Sequence, residues 1–245
     1  YVPVYIALSY LTDGIVCINK DDFKLIKKKG SSNTTHYLIP GIGVNPERFK
    51  PISSEEGNDL RKKLGLKHND FVISYAAEFI ERKNHKLIID ALYQLDKSLD
   101  NIVVVFAGRG VLIEKIKDYT HNLKLTNKVH FLGFVSNVEE YYQVADLAIS
   151  SSKQEGLGIN LVEAMMCSTP VVATVDRGHC TIIEHGKEGL LFEQDSIEGL
   201  VNAITELYKD SEQRAKMASY ALKKAELFSL KNSLEKMDRI YSDFL

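Results

Sequence analysis

No stretch of the 245-residue chain stays apolar for the roughly 18 residues that a bilayer-spanning helix requires, so no transmembrane segment is predicted. Excess charge of one sign is also missing. The 31 Lys+Arg stand against 33 Asp+Glu, for a formal net charge of −2. That balance leaves no basic footprint for nucleic acid. Cysteine is scarce: Cys17, Cys167 and Cys180 are an odd, widely spaced set, read as reduced thiols of a cytosolic protein. There is no Asp-x-Asp pair and no His/Cys/Asp cluster at metal-ligand spacing, so neither a metal nor another cofactor is expected. The opening YVPVYIALSYLTDG has no positive region ahead of its apolar residues and does not read as a signal peptide. It also lacks an initiating Met, and we read Tyr1 as lying inside a longer natural chain. No internal repeat and no low-complexity segment occur.

What is present is a short apolar strand, a loop and an amphipathic helix, repeated. Strands are predicted at Gly14–Ile18, Tyr37–Ile39, Phe71–Ala76, Ile102–Ala107, Val129–Leu132, Leu147–Ser150, Val171–Ala173 and Leu190–Phe192. They are β-branched and apolar on both faces, as strands of a buried parallel sheet must be. SSEEGNDLRKKLGL opens with a capping-box pattern, Ser53 followed by Glu56. NHKLIIDALYQL starts at a predicted Asn84 cap and sets Leu87, Ile88, Ala91, Leu92 and Leu95 on one stripe. From Ser196 to Leu245 the pattern is three helices with no further strand. Strands alternating with helices define an α/β class, a doubly wound parallel sheet of Rossmann type with a helical tail.

In such sheets ligands bind beyond the carboxyl ends of the strands. The loops after Ala76, Ala107, Leu132, Ser150 and Ala173 should therefore form one functional rim. Two glutamates eight residues apart, Glu155 and Glu163, belong to it. The same separation recurs at Glu47/Glu55 and Glu198/Glu206, so spacing alone selects nothing. Context separates them: one rival pair lies in a loop-to-helix linker and the other on a helix face.

Arg82 and Lys83 follow the strand FVISYAA on the same rim, offering positive potential for a diphosphate, or else serving as solvated loop charges. Gly158-Ile159-Asn160 opens the helix that carries Glu163, and free amides there suit phosphate or sugar oxygens. Glu163, about one turn inside, can accept from two donors, which fits the vicinal hydroxyls of a ribose. Its place near the helix N-terminus is expected to favour the charged form. The plain alternative is an ordinary first-turn glutamate. Glu155 could reach a sugar hydroxyl or a charge developing at an anomeric carbon, or be a solvated loop residue.

Other glycine patterns compete. GIGVNP lacks a third glycine. AGRGVLIEKI follows a strand and opens a helix, but Ile113 stands at the third glycine position of a dinucleotide fingerprint, and no acidic residue ends a strand about twenty residues on. His179 is either a ligand contact or a structural helix-start histidine. No Ser/His/Asp or Cys/His set has supporting context.

Laid end to end, VISYAAEFIERKNH, VVVFAGRG, KVHFLGFVSNVEEYYQVADLAISSS, EGLGINLVEAMMCSTPVVAT and RGHCTIIEHGKEGLLF resemble the C-terminal donor-binding domain of retaining glycosyltransferases with the GT-B fold, the "group 1" family. DGIVCINKDDFKLI…HYLIPGIGVNPERFKP resembles the end of that family's N-terminal domain and its linker. The resemblance implies that Glu163 holds the nucleotide ribose and that Glu155 contacts the donor sugar and takes part in catalysis. It implies that Lys83 binds the diphosphate and that the amides of Leu157, Gly158, Ile159, Asn160 and Leu161 face sugar and phosphate. Phe134 and Val135 would meet the base through their backbone. One departure is clear: the family's usual Arg, five positions before the lysine, is Glu78 here, leaving Arg82 as a substitute.

The organisation implied is 1–50 as the remnant of an acceptor domain and linker, 51–228 as the donor domain, and 229–245 as a helix packing toward the absent N-terminal domain. The expected function is metal-independent, retaining transfer of a sugar from a nucleotide sugar, a UDP-sugar, to a glycan or lipid-linked acceptor in bacterial surface polysaccharide synthesis. Its location would be cytoplasmic, with peripheral membrane association through the absent part. Two alternatives stand beside it: a nucleotide-sugar-binding module or split-transferase subunit without turnover, and a sugar-nucleotide epimerase of the same fold.

Overall fold

The computed structural model describes residues 2–99 and 101–245. In chain order, α1 (Val2–Ser9), β1 (Gly14–Cys17), α2 (Lys20–Lys29) and β2 (Thr35–Leu38) form a small unit. The body follows with α3 (Ser54–Lys63), β3 (Phe71–Ala76), α4 (His85–Leu95), β4 (Ile102–Ala107), α5 (Ile113–Asn122), β5 (Val129–Gly133), α6 (Val138–Gln143) and β6 (Leu147–Ser150). It continues through α7 (Ile159–Met166), β7 (Val171–Thr174), the short α8 (His179–Ile182), β8 (Gly189–Phe192), α9 (Ile197–Lys209), α10 (Ser211–Ala225) and α11 (Leu230–Ser242).

The six strands β3–β8 form one parallel sheet in the order β5-β4-β3-β6-β7-β8. Ile73 of β3 pairs in register with Val104 on one side and Leu147 on the other. The chain builds outward from β3 to β5, then returns across β3 to build β6, β7 and β8. The strand order therefore reverses between β3 and β6, where the following loops diverge and open a crevice.

Alternation along each strand divides the core. Ile73, Tyr75, Leu147, Ile149 and Val172 join one cluster, which Leu87, Ile88 and Leu92 of α4 and Leu200 and Ile204 of α9 complete. Ala148, Val171 and Ala173 point the other way and meet Leu161, Val162 and Met165 of α7 and Ala221 of α10. This is the doubly wound α/β architecture that the alternating pattern predicts.

Local signals act largely as read. Ser53 and Glu56 form both bonds of the capping box. Residues 196–245 hold α9, α10 and α11, with a 3-10 turn at Glu226–Phe228. Strand ends move by one or two residues: the strand expected at Tyr37–Ile39 is β2, Thr35–Leu38. Asn84 is the N-cap of α4 as read, but it caps without its side chain. Asn84 adopts a left-handed conformation (φ 51°, ψ 45°) with no side-chain capping bond, because its amide reaches Asp195 Oδ1 at 3.0 Å instead.

The first fifty residues do not join the main sheet. β1 and β2 pair with each other in a two-stranded parallel sheet, and Tyr5, Leu8, Tyr10 and Leu11 stay exposed. The linker is fastened on both sides. Val44 N donates to Phe228 O (2.9 Å), Leu230 N donates to Val44 O (2.8 Å), and Phe49 is buried against Tyr142 of α6. The end of α11 meets the small unit through Tyr37 Oη, which donates to Asp243 (2.8 Å), and through the edge-on Tyr37–Phe244 ring pair.

Candidate functional site

The loop after β3 tightens into a 3-10 turn, Glu81–Lys83, and the loop after β6 runs from Ser151 to Gly158. Polar side chains lock the two together at the crevice. Ser151 Oγ donates to Lys83 O (3.0 Å) and Asn84 O (2.9 Å), Tyr75 Oη donates to Lys83 O (2.9 Å), and Lys153 N donates to Arg82 O (2.9 Å). The main chain of Arg82 and Lys83 thus has a fixed position, and their side chains project from it.

Lys83 Nζ donates to Glu155 Oε1, and both side chains are largely buried. Arg82 Nη1 lies 3.4 Å from Glu155 Oε2 and 2.5 Å from Gln154 O, so Arg82 braces this loop while its side chain stays exposed. Burial pulls the Glu155 pKa upward, but the Lys83 hydrogen bond and charge, with Ser152 and Arg82, outweigh it and hold the carboxyl below its ordinary range. Glu155 is therefore an ionised, acceptor-only group beside a lysine with further protons to donate.

Sequence reasoning missed the residue that shapes this loop. Asp176, just after β7, accepts from Glu155 N (3.1 Å) and Gly178 N (2.7 Å) through Oδ1. The available signal was the Asp-x-Gly spacing, in which an aspartate bonds the amide two residues on.

Gly158 caps α7 in a left-handed conformation (φ 87°), and a Cβ there would lie 3.0 Å from the His179 ring. Among the described residues, the amides of Leu157, Gly158, Ile159 and Asn160 donate to nothing. The expectation for Leu161 is corrected: its N–H already donates to Gly158 O (3.0 Å), and its side chain is buried. His179 is fully buried beneath this turn, with Nδ1 2.9 Å from Thr174 O. Burial lowers its pKa, so the ring is neutral and Nδ1–H donates to that carbonyl.

Glu163 lies in the second turn of α7, on the side facing α6 and the linker. Its carboxylate has no hydrogen-bond partner among the described residues. Burial raises its pKa to about 7, the Arg48 charge opposes the rise, and Glu139 adds to it. Burial thus works against the preference for the charged form expected from the helix end. A dipole effect is worth about 0.3–1 kcal/mol at an exposed end, and desolvation under α6 exceeds it.

Phe134 and Val135 follow β5 on the outer rim. Phe134 is 71% exposed, and the Arg109 guanidinium sits over its ring at 5.3 Å. Glu78, at the position where an arginine was expected, is exposed and makes no side-chain bond among the described residues. The AGRG loop has a packing role. A Cβ on Gly108 would lie 1.9 Å from Ala77 O, and one on Gly110 would lie 2.6 Å from Phe79 O. Only glycine lets this loop stack on the one that carries Arg82 and Lys83.

The rim thus orders Lys83 and Glu155, the α7 amides, Glu163, and then Val135 and Phe134. Cationic and acceptor groups sit at the crevice, and a half-buried carboxylate and an exposed ring lie farther out. The fold is a Rossmann-like, doubly wound parallel α/β sheet. The glycosyl transferases group 1 family model matches residues 56–224, and the chain belongs to that family of transferases.

EpsD of Bacillus subtilis (strain 168), which carries a glycosyltransferase name, is 36% identical over 245 residues, covering 100% of this chain and 64% of that protein. An Escherichia coli galactosyltransferase, named for UDP-Gal and α-D-GlcNAc-diphosphoundecaprenol, is 23% identical over 238 residues, covering 96% of this chain and 61% of its own. The crystal structure of Anabaena Alr3699/HepE in complex with UDP and glucose superposes with a TM-score of 0.89 at 24% identity, over 99% of this chain and 66% of that one. The chain thus spans about two thirds or less of the length of these three relatives.

Proposed function

We propose that this chain is the donor-binding half of a retaining, metal-independent glycosyltransferase that uses a nucleotide sugar, with UDP as the nucleotide. Residues 51–228 form the donor domain, and residues 1–50 belong with an acceptor domain. The observation that carries the reading is the Lys83–Glu155 pair at the strand-order reversal, beside four amides with no acceptor among the described residues. Lys83 gives one of its three protons to Glu155 and keeps the others for the diphosphate. The α7 amides add donors where charge develops on the leaving group, and preorganised donors of this kind are usually the largest catalytic contribution. A diphosphate stabilised in this way departs without a general acid.

Glu155, held ionised, accepts from a hydroxyl of the donor sugar. Glu163 grips the ribose, with the base against the main chain at Phe134 and Val135. Attack from the face the leaving group vacates gives retention. The names of the Escherichia coli relative and the Anabaena structure, with their UDP and diphospholipid-linked sugar, support a UDP-sugar donor and a lipid-linked acceptor. We place this activity in surface polysaccharide synthesis in the cytoplasm, at the inner face of the membrane, a reading that the likeness to EpsD supports only as far as a glycosyltransferase. Among the described residues, no helix is long and apolar enough to cross a membrane.

A second reading is that the chain alone binds donor without transferring sugar; it spans 64% of the B. subtilis relative. Calorimetric titration with UDP, with and without EDTA, tests the site, and transfer assays on the longer gene product test the activity. UDP binding that survives EDTA and is weakened by Lys83→Ala is expected. Binding abolished by EDTA, or indifferent to Lys83→Ala, refutes the reading. Interconversion of free nucleotide sugars without an acceptor would make the protein an epimerase instead.

A further inference from the structure

The linker delivers one side chain to the outer end of the donor rim. Arg48 lies in the turn that ends at the buried Phe49, and its guanidinium stacks over the Phe49 ring at 4.9 Å. From there it donates through Nε and Nη2 to Glu139 Oε2 (2.8 and 2.6 Å) and through Nη2 to Ser136 O (2.5 Å). Ser136 directly follows Val135, and Glu139 opens α6. Gln143 Nε2, at the other end of that helix, donates to Lys50 O at 2.9 Å. The linker therefore grips the loop 134–137 and α6 from outside, although it belongs to neither element. A forked guanidinium bound to both a carbonyl and a carboxylate fixes orientation as well as charge.

We infer that Arg48 is a positioning residue for the nucleoside end of the donor site, holding the base-facing loop from the linker. The inference rests on the donor-site reading above and deepens it: base and ribose recognition require the linker to be docked. The charges of Arg48 in the linker and Glu139 in α6 act on Glu163, which in turn raises the pKa of Tyr142 in α6 and of Cys167 at the end of its own helix. Arg48 favours the carboxylate and Glu139 opposes it. The two residues that hold the loop in place thus act on Glu163 with opposite sign.

That opposition supplies a readout that loosened packing cannot imitate. Ribose hydroxyls donate to the ionised carboxylate, so UDP binding by the wild-type chain strengthens as pH rises through about 7. Arg48→Ala moves the midpoint of that rise upward and Glu139→Gln moves it downward, as measured by calorimetric titration with UDP between pH 5.5 and 8.5. At pH 8, Arg48→Ala also weakens UDP by roughly three- to tenfold, the range for partly exposed charge-assisted bonds. It narrows the preference for UDP over ADP as well, because the base-facing loop is released. Arg48→Lys keeps the midpoint near that of wild type but recovers little of the base preference, since lysine cannot fork between Ser136 and Glu139.

Midpoints that move in the same direction for Arg48→Ala and Glu139→Gln, or that do not move, overturn the inference. So does an unchanged UDP/ADP preference in Arg48→Ala. Failure of the wild-type chain to bind UDP would instead sink the donor-site reading. Thermal melts of each variant separate loss of the site from loss of the fold.

Discussion

Replacing Glu163 by glutamine should stabilise the protein while damaging its site. The carboxyl is half-buried with no hydrogen-bond partner among the described residues, and burial raises its pKa from 4.5 to about 7. A group that binds its proton more tightly folded than unfolded supports the fold below the unfolded pKa. It loses that support as pH rises through the folded pKa. For Glu163 the loss runs from about pH 4.5 to about 7 and is complete above. At ~1.4 kcal/mol per tenfold change in proton affinity, the full effect is ~3 kcal/mol, and residual contact with water brings the expected range to ~1–3 kcal/mol.

Glutamine keeps the shape and carries no charge. Urea unfolding should therefore show Glu163→Gln equal to wild type near pH 4.5 and ~1–3 kcal/mol more stable at pH 8. The same substitution should weaken UDP by ~1–3 kcal/mol at pH 8, through lost hydrogen bonds to a charged group. Saturating UDP should flatten the wild-type pH dependence, because the ribose then satisfies the carboxylate. A stability difference equal at both pH values, or a variant less stable at pH 8, would refute the reasoning.

Other outcomes follow from the same geometry. Lys83→Ala leaves the largely buried Glu155 without its closest cation, with Ser152 and the longer Arg82 contact remaining, so destabilisation of roughly 2–4 kcal/mol is expected in urea unfolding. The double variant Lys83→Met/Glu155→Leu should recover much of that stability and still fail to bind UDP. Gly108→Ala should cost several kcal/mol or prevent soluble expression, since its Cβ would lie 1.9 Å from Ala77 O, whereas Gly65→Ala, with nothing within 4 Å, should cost only what its φ of 73° imposes, about 1 kcal/mol. Asp176→Ala should release the Glu155 and Gly178 amides together and lower UDP affinity more than thermal stability, read by titration and melting of one sample.

The sheet was legible because its strands carry their own signal: IVVVFA and LAIS are apolar on both faces, and only a covered parallel sheet buries such runs. Arg82, Lys83, Glu155 and the α7 turn were legible as neighbours because strand ends share one rim. Their linkage was not, since bonds such as Ser151 to Lys83 O join residues 68 apart in sequence. Asn84 shows the limit of capping rules: the residue type is right and the position is right, but a left-handed backbone and Asp195 take the side chain elsewhere. For Glu163, helix position was readable and burial was not, and burial decides its charge. Arg48 sits in a linker that no periodicity assigns to a site.

The linker also determines where relative rotation can occur. From Val44 onward it is bonded to the start of α11 and sealed by Phe49, so a turning motion of the first fifty residues cannot pivot there without breaking these ties. The run before it is packed as closely: Gly41 (φ 91°) and Gly43 (φ 87°) hold conformations costly to other residues, and a Cβ would lie 2.5 Å from the Leu157 side chain at the first and 2.5 Å from Leu230 Cα at the second. Replacing either glycine would therefore push on the body itself, Gly41 on the turn that opens α7 and Gly43 on the start of α11.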